Sequence, residues 1–332
     1  MPGLFSPGEI RGTRIPNRIM MPPMATSKAT PEGAVTEEHL EHYGVRAESE
    51  VGTIIVEHTF VRTDGRASEG QMGIHDESMT DGLSRLAETI SRGGAVPVLQ
   101  ITHAGGTGIG DGTRMRGAGS VPVPGRNYPA PDPFATDELP GLAEDFAVAA
   151  RRAVDAGFSG VEIHGAHAYL LNQFLSPLCN DRDDDYGGDL ANRGRFPLEV
   201  VRAVVDEVGR DAMVFYRLGA EDSTEGGLSL EEGSTFARWL LEAGVDLVDV
   251  SGGLGGSRPE GLKTEGYFVG AAVAVRSAID PAPVMAAGGV VNACTAHELI
   301  SEDTIDYVGI GRALLMDPYW ALKAKARVGE TG

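Results

Sequence analysis

Eight short apolar runs punctuate the chain, at residues 18–21, 53–57, 96–100, 160–163, 213–217, 247–250, 283–286 and 305–308. Each is mostly continuous rather than alternating and rich in β-branched residues, the pattern of a strand covered on both faces in a parallel sheet. Amphipathic stretches lie between them, with helix signals at their ends. Thr36-Glu-Glu-His39 and Ser229-Leu-Glu-Glu232 offer N-caps followed by acids, while Ala156-Gly157 and Ala243-Gly244 supply glycine stops. Eight strands alternating with about eight helices predict a (β/α)8 TIM barrel, an α/β fold forming a single domain over residues 1–332. A doubly wound sheet would want a glycine fingerprint after the first strand, where this chain has Ala25-Thr-Ser-Lys28. Two long loops, residues 104–136 and 164–190, follow strands 3 and 4. In a barrel they belong to the catalytic face.

Composition narrows the function classes. With 332 residues, 42% apolar and 23% charged, the chain has the make-up of a protein that folds alone. Its net charge of −20 argues against binding nucleic acid or an anionic membrane surface, because both need clustered cations. No apolar run approaches the roughly 20 residues of a membrane span. Cys179 and Cys294 make neither a disulfide framework nor a CxxC site, and no charged-then-apolar leader precedes Leu4, so a cytoplasmic location is expected.

The strand ends carry the chemistry. Gly288-Gly289 and Gly311-Arg312 close the last two strands, where barrels often bind phosphate through bare backbone amides, and Ser251-Gly252-Gly253 adds a third glycine end. Gln100, Arg217 and Glu57 are polar residues at other strand ends, placed to meet a heterocycle held by that grip. His164-Gly-Ala-His167-Ala-Tyr169 then supplies two imidazoles and a phenol, on one wall if the segment turns helical. Metal binding is the rival reading of the two histidines. It needs a third ligand, and neither Glu57 nor His103 has a diagnostic spacing. The stretch Asp181 to Asn192 resembles a calcium loop but has Tyr186 where glycine is required and Asn192 where glutamate is required, so a turn before a helix at Leu190 is expected.

These motifs together resemble the old yellow enzyme family of FMN-dependent oxidoreductases. The matching residues run the length of the chain: Pro22-Pro-Met24, Gln100-Ile-Thr-His103-Ala-Gly105, His164 through Pro177, Asp185-Tyr-Gly-Gly188, Tyr216-Arg217 and Gly311-Arg312. The resemblance implies a TIM barrel with FMN at its mouth. Pro23, Met24 and Ala25 would lie along the flavin, Gln100 would bond its pyrimidine edge, and Arg217 would sit near N1 and O2. The Gly288-Gly289 and Gly311-Arg312 ends would hold the phosphate. His164 and His167 would polarise a substrate oxygen and Tyr169 would deliver a proton. The implied activity is reduction of an activated alkene, an enone, enoate, enoyl thioester or nitroalkene, with NADPH or NADH as reductant. Oxidation of an amine or saturated substrate by the same flavin is the alternative, and a metal-dependent hydrolase or lyase a more distant one.

Departures from the family pattern carry expectations too. Gly106 stands where many relatives have arginine, and Ala25 where one subgroup has cysteine, so no thiol tunes the flavin. The runs at Met24 and Val56-Glu57-His58-Thr59 resemble the flavin domain of the dienoyl-CoA reductase and enoate reductase branch. That branch continues into iron-sulfur domains whose cysteine cluster is missing here, so electrons are expected directly from a nicotinamide or from a separate protein. The resemblance also implies self-association as a homo-oligomer, with Arg327 the candidate to reach a neighbour's site.

Overall fold

The computed structural model describes residues 2–110, 115–258, 261 and 264–329; part of the first long loop, residues 111–114, lies outside them. The chain opens with an antiparallel hairpin, β1 (Gly8–Ile10) and β2 (Thr13–Ile15). The barrel starts at β3 (Ile19–Met21), followed by α1 (Glu37–Ala47), β4 (Thr53–Phe60), α2 (Thr80–Arg92) and β5 (Val96–Thr102). A long loop carries a two-stranded ribbon, β6 (Arg116–Gly117) and β7 (Asp132–Pro133), before α3 (Leu139–Asp155). Next come β8 (Gly160–Gly165), a short α4 (Leu170–Leu175), α5 (Leu190–Val208), β9 (Met213–Gly219) and α6 (Leu230–Glu242). The last elements are β10 (Leu247–Ser251), α7 (Val269–Ile279), β11 (Val284–Ala286), α8 (Ala293–Ser301), β12 (Tyr307–Gly309), α9 (Arg312–Met316) and α10 (Trp320–Gly329).

Each of the eight apolar runs falls on one barrel strand. They pair in parallel in the closed order β10-β11-β12-β3-β4-β5-β8-β9, which is the TIM barrel the pattern predicts. The helix signals act where expected. Ser229 Oγ accepts from Glu232 N while the Glu232 carboxylate accepts from Ser229 N, a reciprocal cap, and Gly157 and Gly244 take positive φ just past α3 and α6. Asp189 caps α5 by accepting from Asn192 N, so the calcium-like stretch ends in the expected turn and helix.

The interior of the barrel is a packed core, not a pore. Met20, Ile55, Val98, Phe215, Leu247, Met285 and Tyr307 fill it, and Ile10 and Ile15 of the hairpin close its lower end. A larger core lies between the strands' outer faces and the helices. Moving two residues up each strand from the inner apolar layer keeps the same facing. Val98 therefore leads to Gln100, Phe215 to Arg217, and Leu247 to Asp249 and Ser251. The sequence pattern thus stacks a polar layer on an apolar one, at the end of the barrel that the long loops surround.

Phe215 is fully buried in this inner layer. Replacing it with alanine should cost about 3–5 kcal/mol of stability, because the surrounding strands cannot collapse into the space. Urea unfolding of the apoprotein checks this, with a lowered midpoint and an unchanged slope as the expected result.

Candidate active site

Below the mouth, four polar side chains occupy adjacent inner positions. Gln100 Nε2 donates to Glu162 Oε1 at 2.8 Å, and Arg217 Nε lies 3.2 Å from Asp249 Oδ2. All four are buried, and one guanidinium faces two carboxyl groups. Burial pushes Asp249 up to about 6 against the pull of Arg217. Burial and the neighbouring Asp249 raise Glu162 well above its usual range, with Arg217 and Gln100 opposing. Burial thus disfavours charge on both carboxyls, while Arg217 favours it and lies against Asp249.

Arg217 Nη2 also donates to Ser251 Oγ at 3.4 Å, and Ser251 Oγ lies 2.7 Å from His167 Nε2. The hydroxyl thus bridges the guanidinium and the imidazole, accepting from Arg217 and sharing a hydrogen bond with His167 Nε2. His164, at the end of β8, sets its ring 5.1 Å from that of His167 and 4.8 Å from that of Tyr169, both edge-on. Burial holds His164 well below its ordinary pKa, helped by His167, Arg217 and His58. It does the same to His167, helped by Arg217, Arg126 and His58. Both rings are neutral donors. Burial pushes Tyr169 up to about 12, so its phenol keeps its proton.

The segment bearing these rings is not the helix the spacing allowed. His167 and Ala168 take φ of 59° and 66°, a left-handed turn, and helix α4 begins only at Leu170. Side chains from several segments hold the turn. Asn172 Oδ1 accepts from Ala168 N, Gln173 Nε2 and Thr107 Oγ1 donate to Ala168 O, and Arg126 donates to His167 O.

Two adjoining cavities open at this face. One, of about 430 Å³, is lined by Pro23, Met24, Ala25, Gln100, His164, His167, Tyr169 and Arg217, together with His58 and Arg126. The other, of about 190 Å³, is lined by Gly288, Gly289, Gly311, Arg312, Arg258 and Tyr267. Pro22, Met24, Arg217 and Arg312 border both. The glycines here have a steric reason. A side chain at Gly289, whose φ is +76°, would meet the Tyr267 ring and Arg312, and one at Gly311 would meet Met24 Sδ.

Three residues expected to hold the cofactor line neither cavity. Glu57 was expected to meet the ring as a polar residue at a strand end, and alternation from inward Ile55 would face it there. Between Val56 and Thr59, however, β4 has two residues where β5 has one, Gln100, between Leu99 and Ile101. This bulge reverses the facing, turning Glu57 outward and His58 into the cavity. Glu57 instead accepts from Thr26 N and Thr26 Oγ1, each at 2.5 Å, with His39 Nε2 3.3 Å away. Burial alone would raise its pKa, but bonds from His39 and Thr26 hold it below the usual value. Its carboxylate anchors the segment that carries Pro23 to Ala25. Ser251 acts through His167 and Arg217, and Gly253 packs against Glu221 and Asp222 at the end of β9. His58 and Arg126 are the residues that sequence reasoning missed. Only the bulge reveals His58, and Arg126 sits in a loop with no periodicity.

The chemistry of the donors fits FMN. A glycine-lined cavity with Arg312 and Arg258 suits a phosphate, the Pro22 to Ala25 wall suits a flat apolar ring, and Gln100 and Arg217 suit its polar edge. Arg217 Nε and His164 Nδ1 are buried without a hydrogen-bond partner among the described residues. The suggested metal ligands do not converge: His103 Nε2 lies 3.3 Å from Asp64 Oδ1, and Glu57 is taken up by Thr26.

A parallel barrel with a phosphate cradle beside an apolar wall and neutral donors is the architecture of a flavin oxidoreductase. A model of the NADH:flavin oxidoreductase / NADH oxidase family matches residues 3–330, and the chain belongs to this family, that of old yellow enzyme, whose cofactor is FMN and whose reductant is a nicotinamide. It is 38% identical over 319 residues to the NADPH dehydrogenase of Bacillus licheniformis, covering 96% of this chain and 92% of that protein. It is 38% identical over 332 residues to the NADH oxidase of Thermoanaerobacter brockii, covering 98% of this chain but only 51% of that protein. A 2-naphthoyl-CoA reductase solved with 2-naphthoyl-CoA superposes with a TM-score of 0.92 at 27% identity, over 98% of this chain and 52% of the other. The chain therefore spans about half the length of these last two. Among the described residues no helix is long and apolar enough to cross a membrane.

The depressed histidines link stability to pH. The unfolded chain takes up protons below about pH 6.5 while His164 in the fold does not, so stability is present above that pH and falls below it. Denaturation midpoints of the apoprotein should drop from pH 7.5 to 5.5. His164→Asn should make the dependence shallower, by up to about 1.4 kcal/mol per pH unit.

Proposed function

We propose that this protein is an ene-reductase, using a reduced nicotinamide to saturate an alkene activated by a carbonyl, thioester, carboxyl or nitro group. The observation that carries the reading is the convergence of two neutral imidazoles and a protonated phenol on the cavity that also presents Gln100, Arg217 and Ala25. Bound flavin supplies hydride chemistry that no side chain offers.

The protein's own part is electrostatic and protonic. His164 and His167 place neutral N–H donors where the activating oxygen gains negative charge, stabilising it as an oxyanion hole does. Their neutrality follows from burial, so they donate without adding a fixed charge to the site. Tyr169 stands edge-on to His164 and holds its proton across the working pH range, as a general acid for the α-carbon must. Ser251 holds the His167 ring through Nε2, and Glu57 keeps the Pro23 to Ala25 wall in place through Thr26. The 2-naphthoyl-CoA reductase likeness favours an acyl thioester among the substrate classes.

Purified protein should be yellow, bleach anaerobically with NADH or NADPH, and recolour when an enone or enoyl thioester is added. If neither nicotinamide bleaches it, direct reduction is wrong. In stopped flow, Tyr169→Phe should slow reoxidation by alkene at least about 100-fold while leaving reduction by nicotinamide near wild type, because only the former half-reaction needs a substrate proton. Equal slowing of both would assign Tyr169 to binding.

A further inference from the structure

Three imidazoles reach the cavity, and the third has a protonation state that obligate donors and acceptors define. Ala67 N–H, which can only donate, meets Gln71 Oε1 at 2.7 Å and so fixes the orientation of that amide. The amide nitrogen then lies 3.0 Å from the carbonyl oxygen of His58, which can only accept, and 2.6 Å from His58 Nδ1. Nδ1 therefore accepts, and the ring carries its hydrogen on Nε2. That nitrogen has no partner among the described residues, and the half-buried ring lines the larger cavity. Burial lowers the pKa of the ring, opposed by Glu57, so His58 is a neutral donor like its two neighbours.

Its place around the mouth says what it faces. Strands β3, β4 and β5 are adjacent, which seats His58 between the Pro23 to Ala25 extension of β3 and Gln100 of β5. Both flanking groups belong to the wall assigned to the flavin ring. The ring of His58 also meets that of Tyr169 edge-on, at 5.5 Å and 90°. We propose that His58, locked in its Nε2–H tautomer by Gln71, donates a hydrogen bond to the bound flavin and raises its reduction potential. A neutral donor facing the ring favours its electron-rich reduced form over the oxidised one. This inference rests on the cavity being the flavin site.

The test is the midpoint potential of the flavin in the purified holoenzyme, by dye equilibration. His58→Phe keeps the ring volume and the edge contact to Tyr169 but removes the N–H. It should shift the oxidised-to-reduced equilibrium about tenfold toward oxidised, the effect of one lost hydrogen bond, which is about 30 mV lower for a two-electron couple. Gln71→Met, which frees the tautomer without touching the ring, should lower the potential in the same direction by no more than that. An unchanged potential in a His58→Phe protein that retains FMN overturns the proposal, as does a changed alkene half-reaction at constant potential, which would assign His58 to the substrate. A wild-type potential in Gln71→Met overturns the tautomer lock. A wild-type protein that binds no FMN would instead remove the flavin assignment beneath it.

Discussion

Arg217 ties together the buried polar groups beneath the barrel mouth. Asp249 pairs with it and Ser251 accepts from it, and its charge opposes the upward push that burial gives both Asp249 and Glu162. The pair fixes its surroundings in sequence. Arg217 orients Ser251, Ser251 orients His167, and Glu162 orients Gln100. Removing one partner of such a buried pair costs about 3–5 kcal/mol, mostly for the charge left behind. Groups that touch no ligand thus hold the geometry of those that do.

The fold was legible because parallel strands buried on both faces must be continuously apolar, and the eight runs of the chain have no other use. Caps were legible too, since Ser229 acts within three residues of its target. The site was legible where it sat on strand ends, as at Gln100, His164 and Arg217. It was not legible at Glu57 and His58, where one extra residue in β4 inverts a facing that alternation predicts. Nor was the turn at His167 and Ala168 legible, because neither is glycine and the reasons for a left-handed backbone lie at Thr107, Arg126 and Asn172. Sequence periodicity reports local geometry, and these features are tertiary.

The outside and inside of the molecule differ in charge. A chain with a net charge of −20 presents Arg126, Arg217, Arg258 and Arg312 at the two cavities of its mouth. Cations gathered at the mouth of an acidic chain favour anionic, phosphate-bearing ligands there.

The turn at His167 and Ala168 has a consequence for how such a protein can change. Two successive non-glycine residues in a left-handed conformation persist only because the surroundings over-determine them. Those surroundings come from both long loops, Thr107 and Arg126 from one, Asn172 and Gln173 from the other. The loops are therefore not interchangeable modules on a fixed scaffold. Grafting either one alone from a relative would release the backbone under His167 and Tyr169, so the two loops must vary as a unit for the reacting groups to stay in register.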